Sequence, residues 1–481
     1  MTHSAHDPVG RTPLDRRTFL VASTVGFAGL SFGAPQPAAA ANVADAGRRR
    51  APKAKSTILF FLCGGSSHID MWDLKPEAPL EYRGPFNPIA TSAPGLMIGE
   101  HLPLTAKQGK HLSIVRSLRG SVNTNDHHAG YYYNLTGHPA DATFLSLGNN
   151  RTPMPDDWPY IGTVCGSRRP TGQGLPNSIA LPHMPSRAPY TRPGQFAARL
   201  GIEHDSLYVY GSVEKPLEFQ APALVLQSDI DGGRLAARHE LLASLDDARR
   251  ELDATAGQQQ WSHLQNRALS LLGGTKATAA FNVADEPQTV RERYGQTVNG
   301  MSLLTARRLV EAGVPFVTVF WMEDEKKLHK KCKSAGGWDT HGNNFNCLKD
   351  DLLPEFDRGF SALVEDLSER GMLDDTLVMV TSEMGRTPKI GDRRSGGVAG
   401  AGRDHWTHCQ SIVFAGGGTR GGQAYGSTDR RAEYPAEKPV TPADIAKTVY
   451  HAMGVDDLES RDKDGRVFNL LAEGEPLFDL F

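Results

Sequence analysis

Four apolar runs mark the chain, at residues 57–63, 314–320, 376–381 and 411–415. None alternates apolar with polar positions. A continuous apolar run between turn residues suits a strand buried on both faces, as in a parallel sheet covered by helices. Between the runs the period changes. Leu352, Leu353, Phe356, Phe360, Leu363, Val364 and Leu367 recur at three and four residues, one stripe on a helix that Gly371 ends. A second helix is expected over residues 302–312, stopped by Gly313, and Thr441-Pro442 opens a third that ends near Gly454. A polar helical block from 233 to about 272, inside an insert near 233–295, is expected to cover the sheet. Strand and helix in alternation predict an α/β fold with a mostly parallel central sheet.

The N-terminus reads differently. Arg16-Arg17 precedes a mild apolar run over 19–32, and small residues follow at 37–41. This resembles a twin-arginine signal peptide. It predicts a removable segment 1–41, a flexible linker 42–55 and one domain over 56–481, in a periplasmic or extracellular protein. The apolar run falls short of the ~20 residues a bilayer requires, and no later run reaches it, so no stable membrane span is expected. Over 481 residues, 39 % hydrophobic and 22 % charged content argues against disorder. Lys+Arg at 52 against Asp+Glu at 55 gives −3, without the basic excess of a nucleic-acid binder. None of the five cysteines forms a C-x-x-C pair, which excludes a zinc ribbon. In an oxidising compartment Cys332 and Cys347 are the best candidates for a bridge, with isolated thiols as the alternative.

In open α/β sheets ligands sit beyond the carboxyl ends of the strands, so the loops after the runs carry the chemical signal. Each holds Asp, Glu or His among glycines: Asp70 after Gly64-Gly65, Asp339 and His341 in Gly336-Gly337-Trp338-Asp339-Thr340-His341-Gly342, Glu383 and Arg386 in Ser382-Glu383-Met384-Gly385-Arg386, and His405 in Gly402-Arg403-Asp404-His405-Trp406. A further cluster, Asn125-Asp126-His127-His128, precedes three tyrosines, Tyr131 to Tyr133. Imidazole with carboxylate suits Zn²⁺, Mn²⁺ or Fe, and a carboxylate-richer set suits Mg²⁺ or Ca²⁺. Asp339 and His341, two apart, share a face of an extended chain. Asp70 is either a ligand or the cap of the next helix. Arg386 either receives an anionic substrate in its planar fork or pairs with a nearby Asp. Asp404 either orients His405 or caps a turn. Trp72, Trp406 and the tyrosines read as packing. The stretch Gly416-Gly417-Gly418-Thr419-Arg420-Gly421 matches a dinucleotide-binding fingerprint, but Gly426, Asp429 and Pro435 break the helix which that function requires.

Taken in order, Gly64-Gly65-Ser66-Ser67-His68-Ile69-Asp70, His127-His128-Ala129-Gly130-Tyr131-Tyr132 with Thr136-Gly137, Trp338-Asp339-Thr340-His341-Gly342, Ser382-Glu383-Met384-Gly385-Arg386-Thr387-Pro388 and Gly402-Arg403-Asp404-His405-Trp406 resemble the DUF1501 family over about residues 56–470. That family resembles the alkaline phosphatase superfamily, which includes sulfatases and phosphodiesterases. The resemblance implies an alkaline-phosphatase-like mixed, mostly parallel central sheet flanked by helices on both faces, with one or two metals at its carboxyl edge. Counting back nine residues from the helix end Thr136-Gly137 reaches His127, where the superfamily places its nucleophile. Glu383-Met384 stands where an Asp-His pair is usual, and Gly64 where an Asp is usual. The implied metal set is Asp339, His341 and His405, with Glu383 and Asp70 as further candidates. The implied cofactor is a divalent ion (Zn, Mn, Ca or Mg), with His127 or His128 and Arg386 as catalytic candidates. The expected partner is an anionic small-molecule or polysaccharide ester. Two other readings are a degenerate hydrolase fold that binds an envelope partner or polysaccharide, and a non-haem redox enzyme.

Overall fold

The computed structural model describes residues 53–120, 125–171, 175–187, 189–221, 279–332, 337–392, 402–461 and 465–481. The expected signal peptide, nearly all of the linker and most of the expected insert lie outside the described residues.

Eight strands form the central sheet: β1 (Ser56–Phe61), β2 (Leu112–Leu118), β3 (Ser178–Leu181), β4 (Leu207–Tyr208), β5 (Phe316–Phe320), β6 (Thr376–Thr381), β7 (Gln410–Gly416) and β8 (Gln423–Tyr425). Their order is β8-β2-β7-β6-β1-β5-β3-β4. β1 pairs in parallel with β5 and β6, and β3 in parallel with β4 and β5. β7 runs antiparallel to both of its neighbours, β6 and β2, while β8 is parallel to β2. The sheet is therefore mixed and mostly parallel.

All six residues of β1 are buried, as the unbroken apolar run requires. Ile58 and Phe60 enter one hydrophobic cluster, Leu59 and Phe61 the other. The first cluster is closed by α3 (Val298–Glu311) and α4 (Leu353–Glu369), through Met301, Leu304, Phe356 and Phe360. The second is closed by α1 (His127–Thr136), α2 (Ile161–Arg168) and α5 (Pro442–Met453), through Leu135, Val164, Ile445 and Val449. Helices thus flank both faces. Phe60 lies 5.9 Å from Trp321 and 5.7 Å from Phe356, ring to ring, and emptying such a site costs about 3–5 kcal/mol.

Local signals match the elements they announced. Thr441 and Asp444 form a reciprocal capping box at the start of α5, and Gly454 ends the helix in the left-handed region. The apolar stripe at 352–367 becomes α4, preceded by a π turn over Leu348–Leu352. After β7 the triple glycine turns the chain into β8 rather than into a helix. Cys332 and Cys347 are joined as a disulfide, with Cα atoms 5.8 Å apart.

Candidate metal centre and cavity

Because β1, β5 and β6 are parallel neighbours, their carboxyl ends share one rim. The chain is knitted there by main-chain bonds: Leu62 N–H to the Thr381 carbonyl at 2.8 Å, Trp321 N–H to that of Phe61 at 2.8 Å, and Trp338 N–H to that of Cys63 at 3.0 Å. Gly65, at φ +91°, makes the turn after β1, and a Cβ there would meet Met384 at 2.9 Å. A two-residue ribbon pairs Gly385 with Trp406 and Arg386 with His405, which brings the Glu383 loop against the His405 loop. His127 starts α1, whose N-cap Asp126 accepts from Ala129 N–H. Gly130 lets α1 lie on the Glu383 loop, since a Cβ would sit 2.6 Å from the Glu383 carbonyl oxygen.

Asp339 is the hub of this rim. Its Oδ1 lies 2.9 Å from His341 Nε2 and 3.2 Å from His405 Nε2, and its Oδ2 lies 3.3 Å from His127 Nε2. Arg386 Nη2 reaches Oδ1 at 2.5 Å. Behind each imidazole stands an oxygen facing Nδ1: Glu383 Oε1 at 2.8 Å for His127, the Asn125 carbonyl at 3.0 Å for His405, and Asp404 Oδ1 at 2.8 Å for His341. The last of these is an ion-pair contact rather than a hydrogen bond. Nδ1 held by an oxygen and Nε2 turned inward is the usual arrangement of metal-binding histidines.

The donor atoms of His127, Asp339 and His405 all lie within 4.8 Å of one another, as do those of His341, Asp404 and His405. Donors about 2.0–2.2 Å from a tetrahedral ion are separated by roughly 3.3–3.6 Å, close to the 3.2 and 3.3 Å seen on Asp339. The buried His/Asp cluster is therefore geometrically compatible with a divalent metal.

The field in the site follows from the same contacts. Burial opposes charge on Asp339, but Arg386 and then His127 hold its carboxyl well below the usual range. Burial also works against a charged His127 and His341, yet the facing carboxylates outweigh it and raise both. His405 goes the other way, pushed down to about 4 by burial and then by the charge of His127. Glu383, despite burial, is lowered by His127.

The other expected residues make the following contacts. Asp70 is neither a ligand in these clusters nor a helix cap. Its carboxylate is wholly buried in a two-point pair with Arg403, Nε to Oδ2 at 2.8 Å and Nη2 to Oδ1 at 3.0 Å. It also accepts from Ser67 Oγ and Asn344 Nδ2. Arg386 is fully buried and bonds Asp339 together with the carbonyls of Gly64, Gly65, Trp338 and Arg403, so its fork has no face for a substrate. His128 binds Asn149 Oδ1 at 2.9 Å and is absent from both donor clusters. Glu383 Oε1 accepts from Gly64 N–H and His127, which makes it the partner of His127 rather than a member of either donor cluster. Asp404 faces the ring of His341 and caps the backbone N–H of His405. Trp72 and Trp406 are buried, as are Tyr131 and Tyr132.

A cavity of about 460 Å³ opens beside the hub. His127 and Asp339 line it together with Cys63, Tyr131, His183 and Arg192, and the loops at 211–214 and 322–326 form much of the remaining wall. Burial, followed by the Glu383 charge, pushes the Cys63 thiol up, so it is not a ready thiolate. The sequence reading missed His183 and Arg192, because neither sits in a motif. Among the described residues no helix is long and apolar enough to cross a membrane.

Comparison with solved structures finds similarity at low identity. A structure of Ps i-CgsB in complex with k-i-k-neocarrahexaose aligns at 11 % identity and TM-score 0.40, over 89 % of this chain and 76 % of that one. The PsFucS1 sulfatase from Pseudoalteromonas sp. aligns at 13 % and 0.35, over 88 % and 73 %. The phosphonate monoester hydrolase SpPMH from Silicibacter pomeroyi aligns at 14 % and 0.39, over 88 % and 76 %. A search of curated proteins finds no match. Residues 54–481 match the family described as "Protein of unknown function (DUF1501)". The five ordered motifs and this match agree, and the chain belongs to the DUF1501 family.

Proposed function

We propose that this chain is an exported, metal-dependent hydrolase of phosphate or sulfate esters. The observation that carries the reading is a single carboxylate, Asp339, faced by the Nε2 atoms of three oriented histidines at the edge of a cavity. Asp339 and His405, which share a donor cluster with His127, would hold the ion, with His341 facing Asp339 beside them, and the imidazole-rich donor set favours Zn²⁺ or Mn²⁺ over Mg²⁺ or Ca²⁺. A bound ion of this kind polarises an ester oxygen or acidifies a water.

The chain's own groups supply the rest. His127 lines the cavity, and Glu383 holds its Nδ1, so Nε2 is the atom that takes or gives a proton. Arg386 offsets the charge of Asp339 and fixes its orientation. Asp404 and the Asn125 carbonyl set the His341 and His405 rings. Glu383 and Asp70 serve as orienting and structural groups in this scheme. Export rests on Arg16-Arg17 and the small-residue stretch after it, and the Cys332–Cys347 bridge is in keeping with an oxidising compartment.

A second reading, a degenerate hydrolase fold that binds an anionic polysaccharide or envelope partner, draws on His127 standing where a Ser, Thr or Cys nucleophile is usual. The test is elemental analysis of the purified mature protein beside a panel of aryl sulfates, phosphomonoesters and phosphodiesters. About one equivalent of metal, lost together with turnover in His405→Ala, supports the hydrolase. Metal retained in His405→Ala, or full turnover without metal, refutes it.

A further inference from the structure

Arg192 lines the cavity and takes no part in that chemistry. Arg192 follows a short ribbon of Ser186–Arg187 with Tyr190–Thr191. Its guanidinium lies over the Tyr131 ring at 4.9 Å, and its Nη1 is buried with no hydrogen-bond partner among the described residues. Desolvating a guanidinium N–H without an acceptor is unfavourable, and an anionic ligand removes that penalty. Arg192 lines the same cavity as His127 and Asp339, which places it beside the hub.

His183 lines the same cavity, and its Nδ1 is also buried without a partner among the described residues. Burial pushes its ring down to about 4, so at neutral pH it offers a hydrogen bond but no charge. Towards the rim the sign reverses. Glu214, Glu323, Asp324 and Glu325 line the wall against one Lys326, whose ammonium is already held by Glu214 at 2.7 Å. One inner cation behind a net acidic wall disfavours polyanions and multiply charged headgroups. A volume of about 460 Å³ is that of a small-molecule site.

We propose that Arg192 receives the charged end of the substrate, and that its cavity selects a singly charged ester, a sulfate monoester or a phosphodiester, whose alcohol portion carries no charge of its own. This rests on the ester-hydrolase reading and adds the substrate's charge and the residue that reads it. Arg192 contacts the ester oxygens through its free edge, while His183 hydrogen-bonds the neutral part. The headgroup then lies next to His127 Nε2.

The experiment uses the metal-loaded mature protein with three probes, p-nitrophenyl sulfate and bis(p-nitrophenyl) phosphate as monoanions and p-nitrophenyl phosphate as the dianion. Binding is read by calorimetry and turnover by nitrophenolate release. The monoanions should bind at least about tenfold tighter than the dianion, and whichever of the two binds better identifies sulfate or phosphodiester as the source. Arg192→Met should weaken monoanion binding about 10- to 100-fold, with metal content and urea midpoint unchanged. Arg192→Lys should recover part of that loss. Monoanion binding that depends on Arg192 without turnover of any probe upholds the anion site and refutes the hydrolase. Turnover with unchanged affinity in Arg192→Met upholds the hydrolase and overturns the inference, as does the absence of binding by every probe at millimolar concentration. Equal affinity for the dianion overturns the charge selectivity.

Discussion

Asp70→Ala separates a structural carboxylate from a metal ligand. In the wild type both members of the Asp70–Arg403 pair have fully buried side chains, joined by contacts of 2.8 and 3.0 Å. Deleting the carboxylate leaves a buried guanidinium without a counter-charge, and breaking such a pair costs about 3–5 kcal/mol. Arg403 keeps the carbonyls of Tyr82, Thr387 and Pro388 as acceptors, so the low end is expected, about 3 kcal/mol. With a urea slope of about 3 kcal/mol per molar, the midpoint falls by about 1 M at unchanged slope. The folded variant should carry as much metal as the wild type. The double variant Asp70→Leu with Arg403→Met should recover much of the stability, because a buried pair replaced by apolar groups of similar volume is often neutral or better. Loss of metal without a change in midpoint would refute the reasoning and return Asp70 to the metal site.

Other outcomes follow from packing and linkage. Gly130→Ala would force a Cβ to 2.6 Å from the Glu383 carbonyl and move α1 off the His127–Glu383 contact; turnover should drop at least tenfold for about 1–3 kcal/mol of stability, and a wild-type rate in this variant would show that the contact is dispensable. Gly402→Ala places a Cβ 1.5 Å from the His341 carbonyl oxygen, so metal content should fall as that loop is displaced. Removing the Cys332–Cys347 bridge, whose ends are 15 positions apart, should cost about 3 kcal/mol, read as a lower unfolding temperature in the Ser/Ser variant than in the oxidised wild type. His138 stacks on Trp158 and bonds the Leu470 carbonyl at 2.7 Å, and burial pushes its pKa from 6.5 to about 4. The unfolded chain therefore binds this proton more readily. Stability is full above about pH 6.5 and falls by roughly 3 kcal/mol as the pH drops towards 4; His138→Gln should flatten that slope in urea titrations at pH 7 and 4.5.

The sheet was legible where burial on both faces leaves no polar position, as in β1, β5, β6 and β7. It was not legible in β2, where Ser113, Arg116 and Ser117 interrupt the run, nor in β3 and β4, which are only four and two residues long. Asp339, His341 and His405 stood out as candidates because glycine-rich loops carry them at strand ends, and the fold brings His341 and His405 to within 2.9 and 3.2 Å of Asp339. Pairing with an Asp is one of the two readings the sequence offers for Arg386, but which Asp, and the Arg403 partner of Asp70, are not legible there. The partners, Arg403 for Asp70 and Asp339 for Arg386, lie 333 and 47 positions away, and local spacing says nothing about a counter-ion that distant. Arg192 was missed because no motif surrounds it, and only folding shows that its Nη1 lacks an acceptor among the described residues.

The shared carboxylate has a mechanical consequence. His405 contacts Asp339 from 66 positions away, and Glu383 meets His127 across 256. Once occupied, such a hub acts as a clasp on long stretches of chain, limiting how far each can swing when the protein opens. Chelation should then do more than silence the protein: protease cuts should appear first in the stretches that the clasp had fastened together.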